Sequence, residues 1–255
     1  MDDRREKIIL EALINFTEAK TVIEIGVQFG KVAVNICRAA NVNGGHYTGF
    51  DVWNTDPAFF EKYGNCGSKE MVANKLTDNG LNCFNLIQID TLANREQFKK
   101  LLDELFPNGI DFAFIDGNHS YLGIANDFFA VYPHLTPRGV IAFHDTAKID
   151  GCREFILDLR TKYNDGRFDI SDYPFGYGER HCGLTLLTKR SYPTTPISID
   201  EICGSISDPH TIELNETIWY ENEILNKPKM PEVLTNVTMK DRYGFKPQRQ
   251  KNEIW

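Results

Sequence analysis

Apolar residues along this chain fall into short unbroken runs, separated by segments in which they recur every three or four positions. Runs at 21–25, 46–50, 84–89, 110–115 and 139–143 read as strands. Segments near 31–40, 68–79, 94–106, 121–135 and 151–163 have helical spacing, and 3–16 places Ile8, Ile9, Ala12, Leu13 and Phe16 on one helical face. Beta–alpha alternation of this kind predicts a parallel sheet covered by helices on both faces. The nearly continuous apolar run Asp111-Phe-Ala-Phe-Ile-Asp116 suits a strand buried from both sides. After 163 the pattern changes. Segments 167–171 and 183–189 read as strands joined by a glycine-rich loop, 172–182, with no helix between them, which favours an antiparallel pair at a sheet edge. The expected architecture is α/β, a doubly wound, mostly parallel seven-stranded sheet with an antiparallel edge hairpin. Residues 191–255 are poorer in periodicity and richer in Pro, Asn and Thr, with a short helix expected near 216–225. The chain therefore divides into a domain at 1–190 and a C-terminal extension at 191–255, which reads equally as a lid, an oligomer arm or a wrap over the core.

The 255 residues are 42% hydrophobic and 25% charged, which suits one folded α/β domain with extensions. The formal charge of −8 gives no broad basic footprint, so nucleic acid is not an expected partner. No apolar run approaches the ~18–20 residues of a membrane span, and Met1-Asp-Asp-Arg-Arg-Glu reads as a charged helix start rather than a signal peptide. Cysteines at 37, 66, 83, 152, 182 and 203 form no CxxC pair. Cys37 and Cys83, in apolar segments, read as small buried hydrophobes, and the expected compartment is the reducing cytoplasm.

The chemistry lies at the strand ends. The first strand carries Glu24 and leads into a turn with glycines at 26 and 30, then a helix; glycines there let backbone approach a nucleotide-like ligand. An acid at this place suits a positively charged or donor-rich ligand rather than a phosphate. The next strands end in Asp51, Asp90 and Asp116, and the fifth in His144-Asp145. In open α/β sheets these ends share one rim, where ligands bind. Burying so many like charges without partners is costly, so a cation, hydroxyl donors or a metal is expected there. Asp51 can accept from two ribose hydroxyls, or cap a turn; Asp90 with Thr91 can lie by the adenine edge, or cap the helix at 94–106.

These residues resemble a known family. Glu24-Ile-Gly-Val-Gln-Phe-Gly30 resembles the first motif of class I S-adenosylmethionine-dependent methyltransferases, and Tyr47-Thr-Gly-Phe-Asp51-Val-Trp53 their second-strand motif. Phe114-Ile-Asp-Gly-Asn-His-Ser-Tyr121, Asp127-Phe-Phe, and Leu135-Thr-Pro-Arg-Gly-Val-Ile-Ala-Phe-His-Asp145 look like the branch that holds small-molecule and sugar O-methyltransferases and cephalosporin-hydroxylase-like proteins. The resemblance spans roughly 20–190 and implies a Rossmann-like sheet, S-adenosylmethionine as cofactor, and O-methyl transfer to a small polyhydroxylated acceptor such as a sugar or glycan. It implies that Glu24, Gly26 and Gly30 shape the methionine side, Asp51 holds the ribose, Asp90 and Thr91 flank the adenine, and Asp116 borders the cofactor. Metal-dependent members place acids where Asp116, His144 and Asp145 stand here; His144 departs from an Asp or Glu in many relatives. Those three could hold one divalent ion, magnesium or, with an imidazole ligand, manganese.

His119 is the first candidate for general base, with His144 competing, since an unperturbed imidazole titrates near neutrality; otherwise His119 is a loop residue before a helix. Tyr121 lines the acceptor pocket or packs as the helix's first aromatic. His134 reads as a helix C-terminal residue facing the dipole. Arg180 and His181 could reach the acceptor from the hairpin loop. Trp53, Phe59, Phe60 and Tyr63 could form a lid. Ile212, Leu214, Trp219, Tyr220 and Ile224 could bury a homodimer interface. Two other classes remain: a non-catalytic cofactor-binding module, and a nicotinamide-dependent oxidoreductase, which the lack of GxGxxG and the presence of Glu24 disfavour.

Overall fold

The structure is a computed structural model that describes residues 4–53, 67–164, 166–173 and 182–191, all within one compact unit ending at Thr195. Its strands are β1 (Thr21–Ile25), β2 (His46–Asp51), β3 (Phe84–Gln88), β4 (Ile110–Ile115), β5 (Leu135–His144), β6 (Phe168–Tyr173) and β7 (Leu184–Lys189). The α-helices are α1 (Arg4–Phe16), α2 (Ala33–Val42), α3 (Lys69–Asp78), α4 (Arg95–Leu105), α5 (Tyr121–Val131) and α6 (Asp150–Asp158). The sheet runs β3-β2-β1-β4-β5-β7-β6, and β7 alone is antiparallel to both its neighbours. The expected doubly wound sheet with an antiparallel edge hairpin is what forms, with β7 inserted beside β5 and β6 outermost.

Alternation along the central strands sends side chains into two cores. Ile23, Ala113, Ile115, Ile141 and Phe143 pack with Phe98 and Leu102 of α4, Phe128 of α5 and Phe155 of α6. Val22, Phe112, Phe114, Val140 and Ala142 pack with Leu10 and Ile14 of α1, Ile36 of α2 and Val72 of α3. Both faces are covered, which is why these strands read as continuous apolar runs. Ser68 and Ser120 cap α3 and α5 by accepting from Met71 N and Gly123 N. Chain order reverses between β1 and β4, so the rim carries its crevice at their C-terminal ends.

Two expectations need correction, the start of β5 and the burial of Cys83, while His134 ends a helical turn as expected. Strand β5 starts at Leu135, not 139: Leu135 pairs with Ile110 before a register irregularity, and Pro137, Arg138 (φ 69°) and Gly139 form the kink that resembles a turn in sequence. Cys83 is exposed rather than buried, because it lies in the turn before β3, where its carbonyl accepts from Tyr47 N. His134 closes a short 3-10 turn (Tyr132–His134) and lies 3.6 Å from Asp103. The helix expected at 216–225, the residues Phe59, Phe60, Tyr63, Cys66, Arg180, His181, Cys203 and His210, and the apolar group from Ile212 to Ile224 lie outside the described residues.

Candidate active site

The turn after β1 is built for close approach. Gly26 has φ 92°, and a Cβ there would lie 2.1 Å from the Asp116 carbonyl oxygen, so only glycine lets the turn pass the end of β4. Asp51 ties this turn to the end of β2: one carboxylate oxygen accepts from Gln28 N at 2.7 Å, the other from Trp53 N at 2.8 Å. Trp53 Nε1 donates back to the Gln28 carbonyl at 3.1 Å. Burial raises Asp51 while these amides oppose the rise. Gln28 (φ 50°), Trp53 (φ 33°) and Asp145 (φ 56°) all hold left-handed backbone at this rim, a strain that concentrates at functional sites.

The other acids of the rim find partners that sequence reasoning did not anticipate. Glu24, 1% exposed, receives the hydroxyl of Tyr47. Burial, together with Asp116, Asp51 and Glu6, pushes it up to about 8 against the pull of Tyr47. Gly49 makes the contact possible, since a Cβ there would lie 2.7 Å from the Tyr47 hydroxyl. Asp90 accepts from Leu92 N and Ala93 N in the turn before α4, whose N-cap is Asn94 and not Asp90 as its alternative reading expected. Thr91 donates to Asp127 at 2.7 Å; Asp127, fully buried on α5, is pushed up to about 6 by that burial. Tyr121 packs edge-on against Phe155 and donates to Asp158 at 2.7 Å, so its hydroxyl is committed to α6.

Asp116, His119, His144 and Asp145 come together at the ends of β4 and β5. Asp116 Oδ1 lies 3.0 Å from His119 Nε2 and 2.7 Å from His144 Nδ1. Asp145 Oδ2 lies 3.9 Å from His119 Nε2 and 3.7 Å from His144 Nδ1. The loop bearing His119 is clamped by α6: a Cβ at Gly151 would sit 2.6 Å from the His119 carbonyl, to which Cys152 Sγ donates. Burial opposes charge on Asp116, yet the two histidines hold its carboxyl below the usual range. Burial likewise opposes charge on His144, but Asp116 and Glu6 raise it to about 11.

Ligand atoms of Asp116, His119 and His144 lie within 4.8 Å of one another, as do those of His144, Asp145 and Cys182. His144 Nδ1 and Asp145 Oδ1 are buried without a hydrogen-bond partner among the described residues. The 2.7 Å approach of His144 Nδ1 to Asp116 is thus an ion-pair distance that misses the angle of a hydrogen bond. Carboxylate oxygens and an unprotonated imidazole nitrogen this close together are the donor set a divalent ion uses. Glu6, Tyr47, Asp127 and Cys182 complete these networks without having been picked out as site residues. Tyr47 and Asp127 stand within the motifs quoted above, whereas Glu6 and Cys182 give no signal beyond a polar side chain at an apolar-face or strand-end position.

A reversed strand order over a glycine turn, with an acid anchoring that turn, is the arrangement of a Rossmann-like methyltransferase fold. Residues 23–146, just under half of the chain, match the family model described as "Methyltransferase domain". An uncharacterized protein, R132, of Acanthamoeba polyphaga mimivirus is 33% identical across 37% of this chain and 47% of its own length, so the match spans about half of that curated relative. The O-methyltransferase TomG from Streptomyces achromogenes, solved with SAM, shares 16% identity over 73% of this chain and 80% of that one, at a TM-score of 0.56. An O-methyltransferase from Bacillus cereus, solved with SAH, shares 14% identity over 74% and 82%, also at 0.56. At such identities these two establish the shared fold.

Proposed function

We propose that this chain moves the methyl group of S-adenosylmethionine to a hydroxyl of a small polyhydroxylated acceptor, a sugar or glycan, with help from a divalent ion. The observation that carries this reading is the cluster of Asp116, His119, His144 and Asp145 beside the glycine turn, with two of its buried ligand atoms unpartnered. The structural relatives TomG and the Bacillus cereus protein, both O-methyltransferases solved with SAM or SAH, support it. So does an acid-rich rim, which suits an acceptor with many hydroxyl donors.

In this mechanism Gly26 and Gly30 admit the cofactor to the backbone, and Asp51 accepts from the ribose hydroxyls. Asp90 and Thr91 border the adenine, Asp116 borders the methyl end, and Glu24 backs the turn through Tyr47. A sulfonium is a strong methyl donor, so the protein supplies alignment and takes the proton. The acceptor oxygen bonds the methyl carbon as the carbon–sulfur bond breaks, and sulfur keeps that electron pair as a thioether. The hydroxyl proton passes to His119, which Asp116 orients. His144, raised to about 11 between Asp116 and Glu6, already carries its proton when no ion is bound and so is not free to take another; an ion on Nδ1 would take the place of that proton. Asp116, His144 and Asp145 would hold the ion, with His119 in reach, and imidazole ligands favour manganese over magnesium. When bound, such an ion lowers the pKa of an oxygen nucleophile.

Labelled methyl transfer to a panel of sugars tests this reading. Product should form in step with S-adenosylhomocysteine, and a chelator should stop it. His119→Ala should keep cofactor binding and lower kcat by about 100-fold or more. Full turnover in chelator removes the ion from the account, and normal turnover by His119→Ala removes the base. Cofactor binding with no methylated product on any acceptor favours a binding module.

A further inference from the structure

The N-terminal helix reaches this site through one residue. In α1, Leu10 and Ile14 are fully buried and face the core. Glu6 stands one turn earlier on the same stripe and is only 9% exposed. A glutamate on the buried stripe of an amphipathic helix is costly unless something specific receives it. Its Oε1 lies 3.2 Å from His144 Nε2 and has no hydrogen-bond partner among the described residues. The opposite nitrogen of the same ring, Nδ1, faces Asp116 and Asp145. The ring also stands edge-on to Phe114, with centroids 6.1 Å apart, which limits its rotation.

We propose that Glu6 is a positioning residue that orients the His144 imidazole from behind, holding Nε2–H so that Nδ1 is presented to the ion. A carboxylate on the far nitrogen of a ligating histidine fixes its tautomer and ring angle and raises its basicity as a ligand. Glu6 touches neither cofactor nor acceptor; it acts only through His144. Helix α1 lies outside the matched segment 23–146, so the ion site of this chain is completed by an element that the family model does not cover. The inference rests on the ion-assisted reading above.

Manganese titrated into the full-length chain, followed by electron paramagnetic resonance of the free ion, tests it, alongside calorimetry of S-adenosylhomocysteine. Glu6→Ala should weaken manganese binding by about 10–100-fold. Glu6→Gln, which keeps an oxygen beside Nε2 but not the charge, should fall between Glu6→Ala and wild type. Both variants should bind S-adenosylhomocysteine as wild type does, which shows the sheet intact. Unchanged or tighter manganese binding in Glu6→Ala would mean that Glu6 only neutralises a buried cation, overturning the proposal while leaving the ion reading standing. Parallel loss of S-adenosylhomocysteine binding would make its role structural and also overturn it. A wild-type chain that takes up no manganese sinks both the proposal and the ion reading.

Discussion

Glu24 shows how far a single buried acid can be moved by its setting. Folded, it keeps its proton until about pH 8, whereas an ordinary glutamate loses it near 4.5, and burial is the main cause of the rise. Between those two values the folded state binds more protons than the unfolded chain. Stability from this group is therefore greatest at or below about pH 4.5 and falls as pH rises toward 8, by up to about 1.4 kcal/mol per unit. Urea unfolding of wild type and Glu24→Gln across that window isolates the effect. The wild type should lose stability relative to the variant as pH rises, and a relative gain would contradict the shift. At this scale sequence reading saw the acids but not their partners. The acids stand out as charges ending apolar runs. Tyr47 reaches Glu24 only because Gly49, two residues on, leaves its space empty, and that dependence is visible only once the strand is folded.

At the scale of elements, the meeting of β1 and β4 decides whether the crevice exists. Gly26 should tolerate no side chain: Ala would need positive φ and would meet the Asp116 carbonyl at 2.1 Å. Gly44 is an internal control, since it also has positive φ (68°) but nothing within 4 Å of an added Cβ. Gly44→Ala should cost roughly 1–2 kcal/mol. Gly26→Ala should cost clearly more and abolish cofactor binding. Equal melting shifts for the two would show that the close approach does not matter. Most elements were legible because β–α alternation writes two periods into the chain. The first half of β5 was hidden by Pro137 and Gly139, ordinary turn signals that here mark a kink within a continuing strand. Helix α1 was legible as an amphipathic helix, but the partner of its Glu6 is 138 positions away at His144, and local spacing cannot encode that contact.

For the whole molecule, the fold places Glu24, Asp51, Asp90, Asp116 and Asp145 on one rim of adjacent strands, as the order β3-β2-β1-β4-β5 requires. Sequence reasoning expected a ligand to relieve their crowding. Much of that relief comes from within, from Tyr47, backbone amides and two histidines, leaving atoms on His144 and Asp145 unpartnered among the described residues. Among the described residues, no helix is long and apolar enough to cross a membrane. The central claim is that the crevice between β1 and β4 receives an adenosyl cofactor anchored by Asp51. Calorimetric titration of the full chain with S-adenosylhomocysteine tests it most directly. One saturable site per chain, lost in Asp51→Ala at an unchanged melting temperature, is the predicted result. No heat from the wild type at millimolar ligand, or equal binding by Asp51→Ala, would contradict it.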